Sequence, residues 1–301
     1  MEPGALSEGG PASGQLRGRT VLVTGASSGI GLAGARALAS RGANLWLLCR
    51  DAERAEAAAA ACRAEGGGGS VQLLLADLSS QQQVRGAAKK FRESGEPLHV
   101  LVNNAGAVFF ERTLTVDGIE STLAVNHLAP FLLTDLLLPC LRASAPARIV
   151  NVSSAGHRTG RIRLGDLGCE RRYTGFGQYA NTKLANVLFT RELARRLAGT
   201  GVVVHCLHPG AVNTGLGMNN TGWFRNVWEW AHPLMRSADK GARTLVHLAS
   251  APEVEERTGD YWSGLRPKRP SKSARDEALA AALWRASEEM VGLSPAGSSP
   301  A

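Results

Sequence analysis

The chain has 301 residues, of which 44% are hydrophobic and 20% are charged, as expected for a soluble protein with a large core. The net charge of +8 allows attraction to phosphates or to an anionic membrane surface. However, the basic residues are scattered, and their two local clusters, Arg158–Arg172 and Arg266–Arg275, contain no interleaved aromatics. We therefore expect no nucleic-acid partner, while peripheral membrane contact through the second cluster stays open.

The cysteines and the start of the chain indicate the compartment. Five cysteines lie far apart without a CxxC or Cys/His cluster, so we expect neither a disulfide framework nor a metal site. Met1–Gln15 lacks the hydrophobic stretch of a signal peptide. No run of 18 apolar residues occurs, so we expect no transmembrane segment. Together these features predict a cytoplasmic protein.

Six short apolar runs alternate with helical patterns over the first two thirds of the chain. The predicted strands are Arg19–Thr24, Asn44–Cys49, Val71–Ala76, Leu98–Val102, Arg148–Ser153 and Val202–Leu207. The predicted helices run from the turn at Gly25–Gly31 to about Arg41, and then over about Asp51–Ala64, Ser80–Ser94, Gly118–Leu141 and Gly177–Leu197. This alternation predicts an α/β fold with a doubly wound parallel sheet of the Rossmann type and helices on both faces.

We predict a single domain over residues 17–290. Residues 1–16 and 291–301, which are rich in Gly, Ser and Pro, should be disordered ends. Past Gly210 the alternation stops, and only a helix over about Asp239–Ala249 and a short last strand at Tyr261-Trp262 are predicted.

The irregular stretch between these elements is rich in aromatic side chains, namely Trp223, Phe224, Trp228 and Trp230. They could form the wall of a pocket for a lipid-like carbonyl compound. They could equally form the core of a helical cap or an oligomer contact, or rest on a membrane. The sequence leaves these alternatives open.

A glycine-rich turn, Thr24-Gly25-x-x-x-Gly29-x-Gly31, lies between the first strand and the first helix. Glycines at such a turn let a dinucleotide pyrophosphate approach the backbone and the helix N-terminal amides. The alternative is a purely structural turn. The spacing is a variant of the Gly-x-Gly-x-x-Gly fingerprint, and its position between strand and helix favours cofactor binding.

Three further positions follow strand ends, where ligands of such sheets bind. Arg50 follows the second strand and suits the 2′-phosphate of NADP, whereas Asp51 beside it would suit NAD. Asp77 follows the third strand and could meet an adenine or cap the next helix. Asn103-Asn104-Ala105-Gly106 ends the fourth strand and would otherwise be an ordinary turn.

Tyr179 and Lys183 are four residues apart, so on a helix they lie on one face. A tyrosine has a reference pKa of about 10, and a neighbouring ammonium would lower that pKa and make proton transfer practical. The alternative is a half-buried tyrosine above a solvated lysine.

Several short motifs, in this order on a βαβ pattern, resemble the short-chain dehydrogenase/reductase superfamily over about Arg17 to Trp262. They are Thr24-Gly25-Ala-Ser-Ser-Gly29-Ile-Gly31, Asn103-Asn104-Ala105-Gly106, Asn126, Ser154, Tyr179-x-x-x-Lys183 and Pro209-Gly210. The stretches Val125–Thr134, Arg148–His157 and Tyr179–Phe189, the Arg50-Asp51 step and the 25-residue gap from Ser154 to Tyr179 are similar to the retinol dehydrogenase branch. The chain departs from that branch by lacking an N-terminal membrane anchor.

The resemblance implies roles for individual residues. Tyr179 would donate a proton to a carbonyl oxygen, and Ser154, with Ser153 as the competing candidate, would hydrogen-bond that oxygen as the substrate-binding group. Lys183 would hold the nicotinamide ribose and lower the pKa of Tyr179, and Asn126 would anchor a proton-relaying water. His127 and His157 have no part in this mechanism. The implied cofactor contacts are Gly25, Ser27, Ser28, Gly29, Ile30, Gly31, Arg50, Asp77, Leu78, Asn103, Ala105, Gly106, Tyr179, Lys183, Pro209, Gly210, Val212 and Thr214.

The sequence therefore predicts an NADP(H)-dependent oxidoreductase that interconverts a carbonyl and an alcohol, with NAD(H) as the less favoured cofactor. The expected substrate is apolar, such as a retinoid, a steroid or a lipid aldehyde or ketone. One alternative is a catalytically silent cofactor-binding scaffold or sensor, and another is an epimerase or enone reductase on the same fold. A homodimer through the helices at about Gly118–Leu141 and Gly177–Leu197, where family members commonly dimerise, is also open.

Overall fold

A central sheet of eight strands runs through the residues that the computed structural model describes, 15–210 and 237–293. Its strands are β1 (Thr20–Thr24), β2 (Asn44–Cys49), β3 (Val71–Leu75), β4 (Val100–Asn103), β5 (Ala147–Val152), β6 (Val202–His208), β7 (Tyr261–Ser263) and β8 (Arg266–Lys268). Their spatial order is β3-β2-β1-β4-β5-β6-β7-β8. All neighbours pair in parallel except β7 and β8, which form an antiparallel pair at one edge.

Helices connect the parallel strands. They are α1 (Gly29–Ala39), α2 (Ala52–Arg63), α3 (Gln81–Glu93), α4 (Ser121–Leu123), α5 (Ala129–Ala143), α6 (Gly175–Arg196), α7 (Ala238–Ser250) and α8 (Glu277–Met290). Polar side chains cap most of these helices at the first turn, because the first amides of a helix lack partners within it. Asp51 caps α2 by accepting from the Arg54 amide at 2.8 Å, and Thr174 caps α6 by accepting from the Gly177 amide at 3.2 Å.

The two faces of the sheet carry separate apolar cores, because side chains of a strand alternate between faces. Val21 and Val23 of β1 pack into a cluster that includes Leu245 of α7. Leu22, between them, packs into the cluster of Phe131 on α5. Helices therefore cover both faces. The predicted doubly wound α/β fold is confirmed.

The C-terminal part of the chain differs from the prediction. The strand at β7 is not the last, since β8 follows it, and α8 was not predicted. Leu16 and Val291 were assigned to disordered ends, yet they are 5% and 1% exposed, because each packs into a core cluster.

Helix α8 covers parts of α5 and α6. Its Trp284 ring lies 4.8 Å from the ring of Phe131 and 5.8 Å from that of Phe189, measured between centroids. The Arg196 guanidinium lies 4.2 Å from the Trp284 ring, within the range of a cation–π contact. A homodimer through α5 and α6 would therefore have to use their remaining faces or displace α8.

Residues 121–143 form one continuous helical stretch, in which a π-helical turn (Ala124–Leu128) joins α4 to α5. The predicted start at Gly118 is too early, because Gly118 adopts a positive φ of 71° before the helix. The stretch is long and apolar enough to cross a membrane, but 67% of its most apolar window is buried in the protein. This is weak evidence for a membrane span, since core helices have the same properties.

A prediction concerns His127, which is buried where the π-helical turn meets α8. Its Nε2 is hydrogen-bonded to Ser287 Oγ at 2.9 Å, and burial lowers its pKa from 6.5 to about 4. As the pH falls, the imidazole is protonated near pH 6.5 in the unfolded chain, but it stays neutral until about pH 4 in the folded protein. Stability is therefore lost between pH 6.5 and 4. This one group should remove about 2 to 3 kcal/mol of unfolding free energy between pH 7 and 4.5.

Urea unfolding at several pH values tests this prediction. His127→Gln should be less stable at pH 7 but should lose less stability than the wild type on acidification. Ser287→Ala, which keeps the imidazole, should be destabilised at every pH and retain the acid loss. Equal pH slopes for the wild type and His127→Gln would contradict the assignment to His127.

Candidate active site

The end of β5 and the first turns of α6 place the two predicted reactive hydroxyls side by side. Ser154 follows β5, and Tyr179 lies one turn inside α6. Both border Gly156: a carbon added to its Cα would lie 3.6 Å from Ser154 Oγ and 3.7 Å from Tyr179 Cε1. The side chain of Ser153 is instead buried and donates to the Lys183 carbonyl oxygen at 2.8 Å. The structure therefore places Ser154, not Ser153, beside the tyrosine.

Lys183 is buried beneath this pair. Its ammonium donates to the Val152 carbonyl oxygen at 3.1 Å and lies 5.4 Å from the centroid of the Tyr179 ring. Burial lowers the pKa of Lys183 to about 8. The predicted alternative of a solvated lysine is therefore wrong.

The pKa of Tyr179 shifts in the direction opposite to the predicted one. Burial raises the pKa of Tyr179, and hydrogen bonding with Ser154 lowers it in part. Desolvation of the phenolate outweighs the effects of its neighbours. The tyrosine is therefore held as the neutral phenol, which is the form that can donate a proton.

Asn126 lies on the π-helical turn and ties it to the loop after β4. Its Oδ1 accepts from the Ala107 amide at 2.7 Å, and its Nδ2 donates to the Ala107 carbonyl at 2.9 Å and to Thr182 Oγ1 at 3.1 Å. Gly106 passes close by, since a carbon added there would lie 3.3 Å from Lys183 Nζ and 3.4 Å from Asn126 Oδ1. The side chains of Asn126 and Lys183 therefore both border Gly106.

The glycine-rich turn forms a cradle at the N-terminus of α1. Ser28 stands at the N-cap position without a side-chain hydrogen bond to the helix, so its hydroxyl does not occupy the first amides. Gly25 has a φ of 64°, and a side chain at Gly31 would collide with the Gly25 carbonyl oxygen and with Asn104 Nδ2. Uncapped helix amides beside closely packed backbone suit the pyrophosphate of a nicotinamide dinucleotide. The Ile30 side chain is buried in the core, so a cofactor contact at this position would have to use its backbone.

Asn103 and Asn104 hold the end of β4 in different ways. The Asn103 side chain turns inwards, where Nδ2 donates to Thr134 Oγ1 at 3.0 Å and Asn151 Oδ1 at 2.9 Å. Its predicted cofactor contact would therefore have to be made by its backbone. Asn104 Nδ2 donates to the Thr24 carbonyl at 2.9 Å, and the Ala105 amide donates to Thr24 Oγ1 at 3.0 Å. Both bonds fasten the end of β4 to the glycine-rich turn.

The residues predicted to select the cofactor lie after β2 and β3. Arg50 is exposed, while Asp51 uses Oδ1 to cap α2. Asp77 Oδ1 accepts from the Ser79 amide at 2.8 Å, so part of this carboxylate stabilises the turn before α3. Leu78 packs against the core on that side of the sheet.

The segment after β6 is described only up to Gly210. His208 Nδ1 accepts from the Ala155 amide at 3.1 Å, which joins this segment to the loop of Ser154. Pro209 is half-buried, and Gly210 has a φ of 92°. The other predicted residues of this region lie outside the described residues: Val212, Thr214, Trp223, Phe224, Trp228 and Trp230.

Two buried groups near the site were not predicted to take part in it. Glu120 accepts from the Thr122 and Leu123 amides and from Gln178 Nε2 at 2.8 Å, which links the start of α4 to α6 just before Tyr179. His157 lies behind Ser154 and bonds to its carbonyl oxygen at 2.7 Å. The sequence signal for His157 was its place in the Arg148–His157 stretch, but its second partner, Ser271, lies 114 residues away.

Comparison with known proteins identifies the family. The model of the short chain dehydrogenase family matches residues 19–224. Human retinol dehydrogenase 12 is 43% identical over 279 residues, an alignment that covers 93% of this chain and 88% of that protein. The chain belongs to the short-chain dehydrogenase/reductase family. Its similarity to the retinol dehydrogenases confirms the branch that the motifs resemble.

Solved structures of similar proteins agree with this family. An uncharacterised protein from Mycobacterium paratuberculosis is 36% identical, with a TM-score of 0.75 over 92% of this chain and 94% of that one. A short chain dehydrogenase from Burkholderia cenocepacia, solved in complex with NADP, is 30% identical, with a TM-score of 0.65 over 82% and 96%. This short-chain dehydrogenase/reductase is accordingly an oxidoreductase that uses a nicotinamide cofactor to interconvert a small carbonyl compound and its alcohol.

Gly31 provides a test of the cofactor cradle of this dehydrogenase. In Gly31→Ala the added methyl group meets the Gly25 carbonyl and Asn104, so the turn must open. We expect the affinity for the nicotinamide cofactor, measured by fluorescence titration, to fall about tenfold or more. Gly86→Ala is the matched control, because an added carbon on that α3 glycine meets nothing within 4 Å. Unchanged affinity in Gly31→Ala would show that the cofactor does not use this turn.

Proposed function

We propose that this protein is an NADP(H)-dependent oxidoreductase that interconverts a carbonyl and an alcohol on an apolar substrate, such as a retinoid, a steroid or a lipid aldehyde or ketone. The observation that carries the proposal is the convergence of Ser154, Tyr179 and the buried Lys183 at the carboxyl end of the sheet, beside the uncapped N-terminus of α1. Retinol dehydrogenase 12, by its name, acts on an apolar alcohol, which supports this substrate class.

The reactive residues divide the work of carbonyl reduction. A bound NADPH would supply the hydride that reaches the carbonyl carbon. Tyr179, held as a neutral phenol, donates its proton to the carbonyl oxygen. Ser154 donates a hydrogen bond to the same oxygen, and this bond strengthens as negative charge develops there.

Lys183 and Asn126 support the proton donor. A lysine whose pKa is about 8 changes its charge near neutral pH, so it can help to replace the proton that Tyr179 gives up. Asn126 fixes the loop at Gly106 above the ammonium, and we assign to it the anchoring of a water that relays protons to Lys183. In the reverse direction, Tyr179 must first lose its proton through the same relay before it can accept the proton of an alcohol.

Two observations favour NADP over NAD. Arg50 is exposed at the end of β2, where a guanidinium suits a 2′-phosphate. Asp51, the residue that would suit NAD, is engaged as the cap of α2. The similar dehydrogenase from Burkholderia cenocepacia was solved with NADP, which agrees with this preference.

The location, the membrane contact and the oligomeric state of the enzyme are proposals that start from its sequence. We propose a cytoplasmic location, which the widely spaced cysteines support. Peripheral membrane contact would use the second basic cluster, in which Arg266, Lys268 and Arg269 are exposed. A homodimer would use the faces of α5 and α6 that α8 does not cover, or it would displace α8.

Tyr179→Phe tests the proposed reaction, because it removes the proton donor and keeps the ring. We expect kcat for carbonyl reduction to fall about a thousandfold, the middle of the usual range for general acid–base catalysis, while NADPH affinity stays within about threefold. The measurement is NADPH oxidation, followed by absorbance, on a panel of retinal, a steroid ketone and medium-chain aldehydes.

Tyr173→Phe is the control for this substitution. It removes the hydroxyl of a neighbouring tyrosine, which donates to the Phe109 carbonyl at 2.7 Å, and kcat should stay within about fivefold. Full activity in Tyr179→Phe would refute the mechanism. Tight NADPH binding without turnover on any compound of the panel would favour the silent scaffold instead.

Arg50→Asp tests the cofactor assignment. A carboxylate repels the 2′-phosphate and accepts from the ribose hydroxyls of NAD, so the ratio of kcat/KM for NADPH over NADH should fall about a hundredfold. Arg63→Asp, at the far end of α2, makes the same charge change and should leave the ratio within about twofold. An unchanged ratio in Arg50→Asp would remove Arg50 from the cofactor site.

A further inference from the structure

His157 makes four contacts that no part of the proposed reaction requires. Its ring is fully buried, with 0% exposure. Its Nδ1 lies 2.7 Å from the Ser154 carbonyl oxygen, which also accepts from the His157 amide at 3.2 Å. On the other side of the ring, Nε2 accepts from the Ser271 amide at 3.3 Å. The ring also packs on Tyr261, with 4.7 Å between centroids.

These contacts determine the protonation state of the ring. The Ser154 carbonyl can only accept, so Nδ1 must carry a proton. The Ser271 amide can only donate, so Nε2 must be free of one. Only the neutral imidazole with its proton on Nδ1 satisfies both partners, and burial, which lowers the pKa of His157, favours that neutral form.

The contact with the Ser154 carbonyl matters because Ser154 stands at the start of a short 3₁₀ turn. Its backbone is extended, with φ −156° and ψ 162°, and its Oγ accepts from the Gly156 amide at 3.2 Å. The carbonyl end of Ser154 is therefore held by His157, and its hydroxyl end by Gly156. A shift of the carbonyl would rotate the residue and move its hydroxyl relative to Tyr179.

We propose that His157 is a positioning residue, which fixes the Ser154 hydroxyl for catalysis by bonding the Ser154 carbonyl and anchoring it to the segment at Ser271. The inference rests on the proposed function of Ser154. Ser271 is itself held, since its Oγ accepts from the amide of the buried Ala274 at 3.3 Å. The ring thus bridges the catalytic loop and a segment that follows β8.

Three substitutions separate the two ring contacts. Asparagine places an amide nitrogen where Nδ1 stands and retains the donor to Ser154. Glutamine places its amide one bond farther out, where it meets Ser271 instead. Leucine, of similar size, retains neither. Because a displacement of about 1 Å in a catalytic group can cost about a hundredfold in rate, we expect kcat to fall about 10- to 100-fold in His157→Leu and His157→Gln.

The expected result is a rescue by one variant and a loss confined to kcat. His157→Asn should keep kcat within about threefold of the wild type, and the KM for the carbonyl compound and the Kd for NADPH should change less than about twofold in all three variants. Should His157→Leu fail to fold, as judged by its thermal melt, the comparison of Asn with Gln still decides. Parallel losses of kcat, NADPH affinity and Tm, or equal losses in Asn and Gln, would overturn the proposal in favour of a merely structural role.

A double-mutant cycle then tests whether His157 acts through Ser154. In a Ser154→Ala background, His157→Gln should lower kcat by less than about twofold, because the hydroxyl that it positions is gone. A full additional loss would overturn the proposal. The wild type separates the two levels of inference: turnover with unaffected His157 variants refutes only the positioning role, whereas a wild type inactive on every carbonyl compound tested refutes the proposed function and this inference with it.

Discussion

The buried ammonium of Lys183 is the constraint on which the rest of the site depends. Removing such a charge from water costs roughly several kcal/mol, unless hydrogen bonds or opposite charges in the protein replace its interactions with water. Among the described residues, its hydrogen-bond partner is the Val152 carbonyl, and no carboxylate forms an ion pair with it. Gly106 leaves room for the ammonium, and Asn126 holds the loop that carries this glycine. The incomplete compensation explains why burial lowers the pKa of Lys183 to about 8, a value that suits the proton relay proposed above.

The parallel part of the fold could be predicted from the sequence because its central strands are buried on both faces, so that mainly apolar runs mark them. The β1 strand is an example, since all five of its residues are buried. The β8 strand could not be found in this way, because Arg266–Lys268 is exposed and polar and pairs only through its backbone. Helix α8 did carry a signal, since Asp276 caps it and Leu283 and Trp284 mark its buried side.

The residues of the candidate site could be predicted from the sequence, but the directions in which their side chains point could not. The carboxyl ends of parallel strands meet at one edge, which brings Ser154 and the loop after β4 together whatever their side chains do. Which of two neighbouring residues faces the site depends on register and packing: Ser153 points to α6, and Asn103 points into the protein. The pKa of Tyr179 shows the same limit. The four-residue spacing of Tyr179 and Lys183 was recognised from the sequence. The direction of the pKa shift, however, is set by burial, which depends on how the whole chain packs.

The chain beyond β7 contributes contacts behind the candidate site, although the predicted reactive residues all precede it. Ser271 bonds to His157 behind Ser154, and Ser287 of α8 bonds to His127 on the π-helical turn that also carries Asn126. The carbonyl of Met290 accepts from Gln81 at 2.9 Å, so the same segment also fastens α3. Both histidines are neutral buried rings whose contacts fix positions rather than supply charge. A site in which proton transfer depends on distances of about 3 Å needs such supports, because loops alone hold catalytic groups less firmly than packed elements do. The C-terminal segment therefore supports the candidate site and is not an appendage to the sheet.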